Sequence, residues 1–582
     1  MKNAVAQEDV IGEYLKGHSL QIFEAGTALL NQGHIPEGCY ILVHGEVKAL
    51  VHEDELERSS FLNVVLHEGD VLGAKELFSQ TPLAYSCIAD TEVSAYFLSH
   101  ADIQKVVQEQ PAFYEVLIRA MAKQFSFLEQ VQIDQALASA PITEVDFMVS
   151  KARAAHLDIQ DLPESTIDET IQAVADAVAA QAENLAKLTV AESNMGVAAH
   201  KIEKIKLGTI AVAEDLMGKP GVGSVIEERE HVKGVAHPMG VVFAMIPVTN
   251  PVETLTFKFL ISLKSRNAVI MSSHRKARNV GNQTIQIIQS VLKEKGLPVD
   301  LVQASQLPAN RALTNAFMTH PDVNFILATG GPSMVKSAYQ SGTPAIGVGK
   351  GNAPVWITAD CNLEKAANDV IFSKSFDNGI VCGSENNLLV AESVYDDFLL
   401  AAEANGAAVL NPIEVDSLLD AVFYSGSLSA DWVGKSAQEV CEHVGIIRNY
   451  PVRLIMAPVP EGEKGAPLLK EKLVPILSVS KMESKQQALA MAEQILADEG
   501  AGHTAIVHSD DPESVEAFAK VADVSRVLVN TPGTLGCIGA NNGLSLSWTL
   551  GCGTQGGGAT SDNVSYEHLL NVKRIAYAVD HS

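Results

Sequence analysis

Cys382 lies in the stretch FDNGIVCGSEN (376–386), where its neighbours are small or polar. A cysteine attacks carbon as a thiolate, so a nucleophilic cysteine needs positive charge or a helix dipole nearby and a path for its substrate. Small neighbours give a carbonyl carbon that path. The alternative is a thiol that only packs in a core. We expect this packing role for Cys361, Cys441, Cys537 and Cys552.

Two glycine-rich stretches have the composition of phosphate-binding turns. TGGPSMVK (Thr329–Lys336) is predicted to join a strand to a helix, which would aim backbone N–H groups and a positive helix end at an anion. GVGKGN (347–352) contains GxGxG but lacks the rest of the dinucleotide fingerprint. Each stretch taken alone is also typical of an ordinary turn in an α/β protein.

Asn250 stands between a strand-like run, GVVFAMIPV (240–248), and the helical pattern VETLTFKFLISLK. Its place before Pro251 predicts that Asn250 is the N-cap and Pro251 the first residue of that helix. The side-chain amide is also a hydrogen-bond donor. Capping and donation to a substrate are therefore competing roles for Asn250.

Two kinds of element would position these residues. Residues 19–100 show alternating apolar residues between Gly and Asp turns, typical of a small antiparallel barrel, and helical patterns follow over 101–136. From about residue 141, helices alternate with short apolar runs, which indicates α/β layering. One long helix is predicted to open at a capping box of Thr166 and Glu169 and to continue through Leu188.

Composition excludes several classes of protein. The 582 residues predict more than one domain, and a net charge of −28 should repel nucleic acid and anionic membranes. GVVFAMIPV is too short to span a bilayer, and the first residues lack the apolar core of a signal peptide. The seven cysteines are scattered and show no CxxC spacing, which argues against a disulfide framework or a zinc site and favours the reducing cytoplasm.

From about residue 141 to its end, the chain resembles the acylating, coenzyme A-dependent branch of the aldehyde dehydrogenase superfamily, and especially the aldehyde dehydrogenase half of bifunctional aldehyde–alcohol dehydrogenases. The matching stretches are IPVTNP (246–251), FKFLISLKSRNAVIMSSH (257–274), ILATGGPSMVKSAY (326–339), PAIGVGKGNAPV (344–355), SKSFDNGIVCGSEN (373–386), GAGHTAIVHSDD (500–511) and TLGCGTQGGGATSDNVSYEHLLNVK (549–573).

This resemblance implies the domain organisation. We expect a cofactor-binding domain over 141–350, a catalytic domain over 351–550, and a C-terminal segment, 551–582, that returns to the oligomerisation and cofactor region. It also implies a homo-oligomer whose partners are a small aldehyde or acyl-coenzyme A.

The resemblance makes Cys382 the nucleophile. Its thiolate would attack an aldehyde to give a thiohemiacetal, and loss of hydride to the nicotinamide would leave a thioacyl enzyme. The oxyanion that forms needs hydrogen-bond donors. By resemblance, these donors are the side-chain amide of Asn250 and the backbone N–H of Cys382.

Coenzyme A, rather than water, is expected to release the acyl group. Hydrolytic aldehyde dehydrogenases carry a general-base glutamate upstream of the nucleophile, and the corresponding position here is Val348. From Gly330 to Ala359 the chain contains no Asp or Glu. Without a base that activates water, a thioester persists until a thiol attacks it, unless another part of the fold supplies the base.

The resemblance also implies a dinucleotide site. The turn Thr329, Gly330 and Gly331 would hold the cofactor. Glu471 would bind the ribose, although among lysines it also fits a solvated charge. His274, followed by two cations, would lie near the adenosine ribose. We expect NAD, and those cations leave NADP open. His503 resembles a residue near the coenzyme A path or a proton relay, with a structural role as the alternative.

Residues 1–135 resemble a cyclic nucleotide-binding domain through the stretch FEAGTALLNQGHIPEGCYILVHGEVKAL. The ligand cassette of that family does not match. Ala74 stands where the ribose-binding glutamate is expected, and Leu83 and Ala84 follow where the phosphate-binding arginine is expected; Lys75 is a possible substitute. We expect the fold of this domain but not cyclic nucleotide binding.

The sequence leaves three functions open. The first is an acylating aldehyde dehydrogenase with an N-terminal regulatory domain. The second is a phosphate-activated reductase of the same fold, such as glutamyl phosphate reductase, whose motifs fit 373–386 poorly. The third is a catalytically inert sensor, which the presence of Asn250, Cys382 and Glu471 together disfavours.

Overall fold

A computed structural model describes residues 15, 18–53, 58–66, 70–79, 81–83, 85–109, 113, 144–305, 307, 310–424, 426–460 and 462–579. The chain divides into two compact units, Met1–Ala140 and Pro141–Ser582. Among the described residues, no helix combines the length and apolar character needed to cross a membrane.

The first unit is built on two antiparallel sheets. Its strands are β1 (Leu20–Phe23), β2 (Ala28–Leu30), β3 (Gly38–His44), β4 (Val47–Glu53), β5 (Arg58–Leu66), β6 (Val71–Leu72), β7 (Ser86–Ala89) and β8 (Val93–Ser99). The sheets have the orders β1-β8-β3-β6 and β2-β7-β4-β5. Its named helices are α1 (Ala74–Ser79) and α2 (His100–Glu109). These sheets confirm the predicted antiparallel β domain.

Inward-facing apolar residues of this unit form a buried cluster that includes Leu83 and Tyr85. Leu83 is 3% exposed, and its backbone bonds to His34 and Gly33 at 2.9 and 2.8 Å. Ala74 is fully buried at the start of α1. Ala84, the side chain of Lys75, and most of the helical pattern predicted over 101–136 lie outside the described residues.

The second unit alternates helices with strands. Its strands are β9 (Val225–Arg229), β10 (Val232–Pro238), β11 (Val241–Ile246), β12 (Ala268–Ser273), β13 (Val302–Ala304), β14 (Phe325–Thr329), β15 (Ala345–Val348), β16 (Ala353–Ile357), β17 (Glu385–Ala391), β18 (Ala407–Val409), β19 (Phe423–Tyr424), β20 (Ser427–Leu428), β21 (Leu454–Pro458), β22 (Ile476–Met482), β23 (Gly502–His508), β24 (Val524–Val529) and β25 (Leu570–Ala576).

Residues 144–159 are helical, and the named helices follow. They are α3 (Glu164–Ala180), α4 (Ala182–Ser193), α5 (Ala198–Lys206), which continues as a π-helical stretch (Leu207–Ala211), α6 (Val212–Leu216), α7 (Pro251–Lys264), α8 (Arg278–Glu294), α9 (Arg311–Thr319), α10 (Pro332–Gln340), α11 (Leu363–Ser375), α12 (Tyr395–Ala404), α13 (Pro412–Val422), α14 (Ala437–Val444), α15 (Lys485–Asp498), α16 (Pro512–Val521) and α17 (Gly533–Cys537).

Two parallel sheets form the frame of this unit. The first has the order β13-β12-β11-β14-β15 and the second the order β18-β21-β22-β17-β16-β23-β24. Their strands are continuous apolar runs, such as VVFAMI in β11, because helices cover both faces of a parallel sheet. A third, antiparallel sheet has the order β25-β10-β9 and joins the C-terminal strand to residues 232–238. This architecture confirms the predicted α/β fold.

The predicted capping box of Thr166 and Glu169 is wrong. Helix α3 begins at Glu164, with Pro163 at the N-cap and no side-chain cap. The carbonyl of Pro163 already accepts the N–H groups of Thr166 and Ile167 at 3.1 and 3.3 Å. Thr166 therefore lies inside the first turn. The predicted single helix is also two helices, since α3 ends before Gln181 and α4 begins after it.

Candidate active site

The candidate residues lie at opposite edges of the two parallel sheets. Asn250 and His274 follow β11 and β12, and Thr329 ends β14, so these three lie at the carboxyl ends of strands in the five-stranded sheet. Cys382 precedes β17, and His503 is the second residue of β23, so these two lie at the amino ends of strands in the seven-stranded sheet. Ligands of open α/β sheets bind beyond the carboxyl ends of the strands.

Cys382 lies in a turn that follows α11 and a 3₁₀ stretch, Phe376–Gly379. All seven cysteines are free, and Cys382 alone is half-buried while the others are buried. Burial and, to a smaller extent, the carboxylate of Glu471 raise the pKa of the Cys382 thiol to about 12, although the guanidinium of Arg526 opposes them. The thiol is therefore protonated at neutral pH in the absence of ligands.

His503 lies beside the backbone of Cys382. A Cβ atom added at Gly351 would overlap the carbonyl oxygen of Cys382 and lie 3.4 Å from Cγ of His503. A Cβ atom added at Gly383 would lie 3.7 Å from Cε1 of the same ring and would overlap Sγ of Cys537. Gly351 and Gly383 therefore let the imidazole and the nucleophile loop approach each other closely.

The ring of His503 is fully buried and only partly satisfied. Nδ1 shares a hydrogen bond of 2.9 Å with Oγ1 of Thr504, and Nε2 has no hydrogen-bond partner among the described residues. Burial and, to a smaller extent, the nearby Arg526 lower the pKa of His503 to about 3. The imidazole is therefore neutral, and Nε2 is left to meet a ligand.

Asn250 occupies the predicted N-cap position of α7, with Pro251 as its first residue, which confirms that prediction. Its backbone carbonyl accepts the N–H of Thr254 at 3.2 Å, but its side chain makes no capping bond. Nδ2 donates to Oγ1 of Thr249 at 3.1 Å, and no group in the described part of the chain bonds to Oδ1. The backbone thus starts the helix while the amide stays available.

Glu471 is half-buried and not a solvated surface charge. Its Oε1 accepts the backbone N–H of Gly351 at 3.1 Å. Burial raises the pKa of the carboxyl group to about 7; Lys350 opposes this shift and Glu499 adds to it. Through Gly351, Glu471 is tied to the backbone that contacts Cys382 and His503.

The turn Thr329, Gly330 and Gly331 joins β14 to α10, as predicted. A Cβ atom added at Gly331 would meet nothing within 4 Å, so the space beyond the helix start is open. Oγ1 of Thr329 accepts a hydrogen bond of 2.9 Å from the fully buried Lys258, which also donates to the carbonyls of Met245 and Leu327. Burial lowers the pKa of Lys258 to about 7.

His274 is exposed at the start of a 3₁₀ turn, Arg275–Ala277. Its Nδ1 accepts the backbone N–H of Lys276 at 3.2 Å, and the backbone N–H of His274 donates to the carbonyl of Ile246 at 3.1 Å. Partial burial lowers the pKa of His274, and the adjacent Arg275 and Lys276 lower it further. His274 therefore lies at the carboxyl ends of the strands of the five-stranded sheet.

Several residues near the site were missed from the sequence. Arg526 is 5% exposed, donates to the carbonyl of His503 at 2.9 Å, and is the cation that acts on Cys382. Lys201 and Lys204 contact both Asp377 and the carbonyl of Thr249. Nothing local in the sequence marks the contact of the two lysines with Asp377, and nothing local marks Arg526.

Comparison with known proteins agrees with this geometry. The model of the aldehyde dehydrogenase family matches residues 129–429. A succinate-semialdehyde dehydrogenase (acetylating) of Clostridium kluyveri is 35% identical over 433 residues, which cover 74% of this chain and 95% of the relative. The chain belongs to the aldehyde dehydrogenase family.

Two further similarities concern the same region of the chain. The bifunctional aldehyde-alcohol dehydrogenase AdhE of Escherichia coli K12 is 35% identical over 446 residues, 76% of this chain but 50% of that protein, so the chain spans about half its length. The crystal structure of an acetylating aldehyde dehydrogenase from Geobacillus thermoglucosidasius superimposes with a TM-score of 0.74 at 36% identity and covers 77% of this chain and 99% of its own.

The first unit has a separate match. The model of the cyclic nucleotide-binding domain matches residues 20–110. Aldehyde dehydrogenase and cyclic nucleotide-binding domains are thus combined in one chain, as the sequence predicted.

Proposed function

We propose that this protein is a coenzyme A-acylating aldehyde dehydrogenase that interconverts a short-chain aldehyde and its acyl-coenzyme A. The observation that carries this proposal is Val348. It is 3% exposed at the end of β15, where hydrolytic members of the family carry their general base. The acetylating relatives described above support the same activity.

In the oxidative direction, the thiol of Cys382 loses its proton to water, and the thiolate adds to the aldehyde carbon, so that a C–S bond forms while the C=O π bond breaks. The oxyanion then forms beside the amide of Asn250 and the backbone N–H of Cys382, which stabilise it. Bound nicotinamide dinucleotide would supply the hydride acceptor, so the carbon is oxidised to a thioester. The thiolate of coenzyme A attacks this thioester, and Cys382 leaves as a thiolate. Nε2 of His503, neutral and without a partner among the described residues, would hydrogen-bond the incoming thiol of coenzyme A.

The residues present fit a dinucleotide. Cβ atoms at Gly331 and Gly349 would meet nothing within 4 Å, so backbone N–H groups at the start of α10 can approach a diphosphate. Glu471 would hold the nicotinamide ribose, and His274 lies where the adenosine ribose is expected. We propose NAD as the cofactor; the kcat/KM for NADH should exceed that for NADPH, and the reverse order would assign NADP through Arg275 and Lys276.

A spectrophotometric assay with acetaldehyde, NAD and coenzyme A tests the activity. NADH should form over many turnovers only when coenzyme A is present, and the product should be acetyl-coenzyme A. Cys382→Ser should abolish turnover, because a hydroxyl is a far poorer nucleophile than a thiolate. Steady formation of acetate without coenzyme A would refute the proposal. Reduction of an acyl phosphate without coenzyme A would instead identify a phosphate-activated reductase, and no turnover at all an inert sensor.

The remaining proposals concern organisation. We propose a cofactor-binding domain over 141–350 and a catalytic domain over 351–550, which the five-stranded sheet (241–348) and most of the seven-stranded sheet support. We also propose that 551–582 returns to an oligomerisation region in a homo-oligomer, which the pairing of β25 with β10 supports. The free thiols support location in the cytoplasm. Regulation by the N-terminal unit belongs to the same proposal.

A further inference from the structure

Four buried charged side chains form a cluster next to the candidate active site. Lys201, Lys204, Glu253 and Asp377 are each at most 2% exposed. Oδ2 of Asp377 lies 2.9 Å from Nζ of Lys201 and 2.5 Å from Nζ of Lys204, and Nζ of Lys204 lies 3.2 Å from Oε1 of Glu253. Burial opposes ionisation of Asp377, but Lys204 and Lys201 bring its pKa below the ordinary value. Asp377 is thus ionised between two buried lysines.

The two lysines connect the loops that carry Asn250 and Cys382. Nζ of Lys201 and Nζ of Lys204 donate to the carbonyl of Thr249, the residue before Asn250, at 3.4 and 3.2 Å. Their other acceptor, Asp377, lies in the loop that leads to Cys382. Glu253, the second acidic partner, is in the first turn of α7. The same two ammonium groups therefore hold both loops.

The backbone around Asp377 is not set by local preference. Asp377, Asn378 and Gly379 follow one another at φ values of 48°, 54° and 68°. Asp, Asn and Gly adopt this left-handed region more readily than other residues, but usually singly and not three in a row. Contacts from elsewhere keep it in place: Oδ1 of Asp377 accepts the N–H of Val197 at 2.7 Å, and the N–H of Asp377 donates to Nδ1 of His200 at 2.9 Å.

The approach of Asp377 to its partners also depends on Gly196. A Cβ atom there would overlap the carboxylate of Asp377. Gly196 has φ +79°, a conformation that favours glycine. The segment before α5 is thus shaped to receive Asp377. A buried ion pair is poor evidence of added stability, because desolvation offsets its attraction, so a role in geometry is the better explanation.

We propose that Lys201, Lys204 and Asp377 are positioning residues that fix the Asn250 amide relative to the Cys382 thiol. They act through the two loops and not by contact with the reacting atoms. This inference rests on the proposed function and adds a role that the comparisons do not assign. It means that the oxyanion site is assembled across two sheets by one pair of ammonium groups.

The test compares Lys204→Met with Lys206→Met in the full chain. Lys206 is at the end of the same helix but pairs with the exposed Glu203 at 3.0 Å, so it is a matched control. We expect Lys204→Met to lower kcat at least tenfold with little change in the KM for the dinucleotide. Lys206→Met should match the wild type. Equal kcat values for the two variants would overturn the proposal.

A double-mutant cycle separates positioning from general destabilisation. If Lys204 acts by placing the Asn250 amide, Lys204→Met should lower kcat by less than threefold in a chain that already carries Asn250→Ala. If the kcat of the double variant falls by the product of the two single losses, the cluster acts elsewhere and the proposal is overturned. If Lys204→Met does not fold, Asp377→Asn, which is nearly isosteric, undergoes the same cycle with the same criteria.

Alkylation of Cys382 gives a readout that needs no turnover. With iodoacetamide and no cofactor, Lys204→Met should be alkylated at least threefold faster than Lys206→Met, because a released loop exposes the thiol. Equal rates would overturn the positioning role even if the wild type proves to be an active acylating enzyme. A wild type without coenzyme A-dependent turnover would refute only the proposed function, since the alkylation comparison remains valid.

Discussion

At the scale of single residues, the central fact is that Cys382 holds its proton tightly. Burial raises its pKa to about 12, and Arg526 only partly opposes this shift. A nucleophile with a raised pKa reacts through a small thiolate fraction, which rises about tenfold per pH unit below the pKa. Reactivity in the ligand-free enzyme is therefore limited by deprotonation.

We predict that alkylation of Cys382 by iodoacetamide, without ligands, rises about tenfold per pH unit from pH 7 to 9.5 with no plateau, since the pKa lies near 12. Peptide mass spectrometry can follow this cysteine separately from the six buried ones. A free cysteine in a small peptide serves as the control and should level off above its ordinary pKa, about 8.5. A plateau for Cys382 near that pH would contradict the prediction.

Asn250→Ala should lower kcat about a hundredfold, equivalent to about 3 kcal/mol, which is typical for the loss of one oxyanion donor. The melting temperature should hardly change, because the Asn250 side chain makes no capping bond. Steady-state kinetics and thermal unfolding together check both statements. A change confined to the KM for the aldehyde would contradict the oxyanion role.

The chain offers a matched control in a second Asn-Pro helix start. Oδ1 of Asn411 accepts the N–H groups of Ile413 and Glu414, each at 3.0 Å, in a complete capping box before Pro412. Asn411→Ala should therefore destabilise the fold by about 1 kcal/mol and leave kcat unchanged. The two asparagines are alike in local sequence, so only the structure shows which one caps.

Only some residues of the candidate site could be predicted from the sequence. Cys382, Asn250 and Glu471 could be recognised from the sequence because each lies in a stretch with a characteristic pattern of neighbours. Arg526 acts through contacts between residues distant in the chain, and its surroundings carry no motif. Lys258 lies in a family-matching stretch, but that stretch does not show its contact with Thr329. Asp377 lies in a recognisable stretch too, but its partners Lys201 and Lys204 are on α5, far away in sequence, so their meeting could not be inferred from spacing.

At the scale of elements, glycines at the ends of strands differ in what they permit. Gly331 precedes α10 and borders open space, whereas a Cβ atom at Gly347 in β15 would overlap Cγ1 of Val335 and lie 2.9 Å from the ring of Tyr339. The first glycine leaves room outside the fold, and the second allows a helix to pack on a strand. Sequence alone presents both as members of glycine-rich turns.

We predict that Gly331→Ala leaves the melting temperature unchanged but raises the KM for the dinucleotide several-fold, because its methyl group enters the space proposed for the diphosphate. Gly347→Ala is the contrasting variant and should destabilise the fold by about 1–3 kcal/mol through overpacking. Calorimetry measures the stability of the two variants, and steady-state kinetics at varied dinucleotide concentration gives the KM. An unchanged KM in Gly331→Ala would exclude this turn from the cofactor site.

Element boundaries followed the sequence where Pro and Gly mark them. Asn250–Pro251 begins α7, and α8 ends just before Gly296, which has φ +70°. The predicted start of α3 is wrong because Thr166 and Glu169 resemble a capping box, although the helix already begins after Pro163. The break at Gln181 has no proline or glycine, so the apolar pattern of α3 and α4 predicts one continuous helix.

At the scale of the whole molecule, the N-terminal unit has the fold of a ligand-binding domain, but two described positions where charged ligand contacts were expected carry buried apolar side chains. Leu83, where the phosphate-binding arginine was expected, is 3% exposed and belongs to the apolar cluster of the two sheets. Ala74, where the ribose-binding glutamate was expected, is fully buried. A fold match over 20–110 does not by itself establish that the unit binds the family's ligand.

We predict that the full chain does not bind cyclic AMP or cyclic GMP with physiological affinity. The cyclic phosphate carries a negative charge, and the protein already carries −28, so only a local cation can offset the desolvation of that charge. Leu83 supplies no such cation, whereas a bidentate arginine would. Calorimetric titration should show no heat of binding, and NADH, titrated into the same sample, shows that the protein is folded. A dissociation constant in the low micromolar range or below would contradict the prediction. Its loss in Lys75→Ala would then show that Lys75 replaces the arginine.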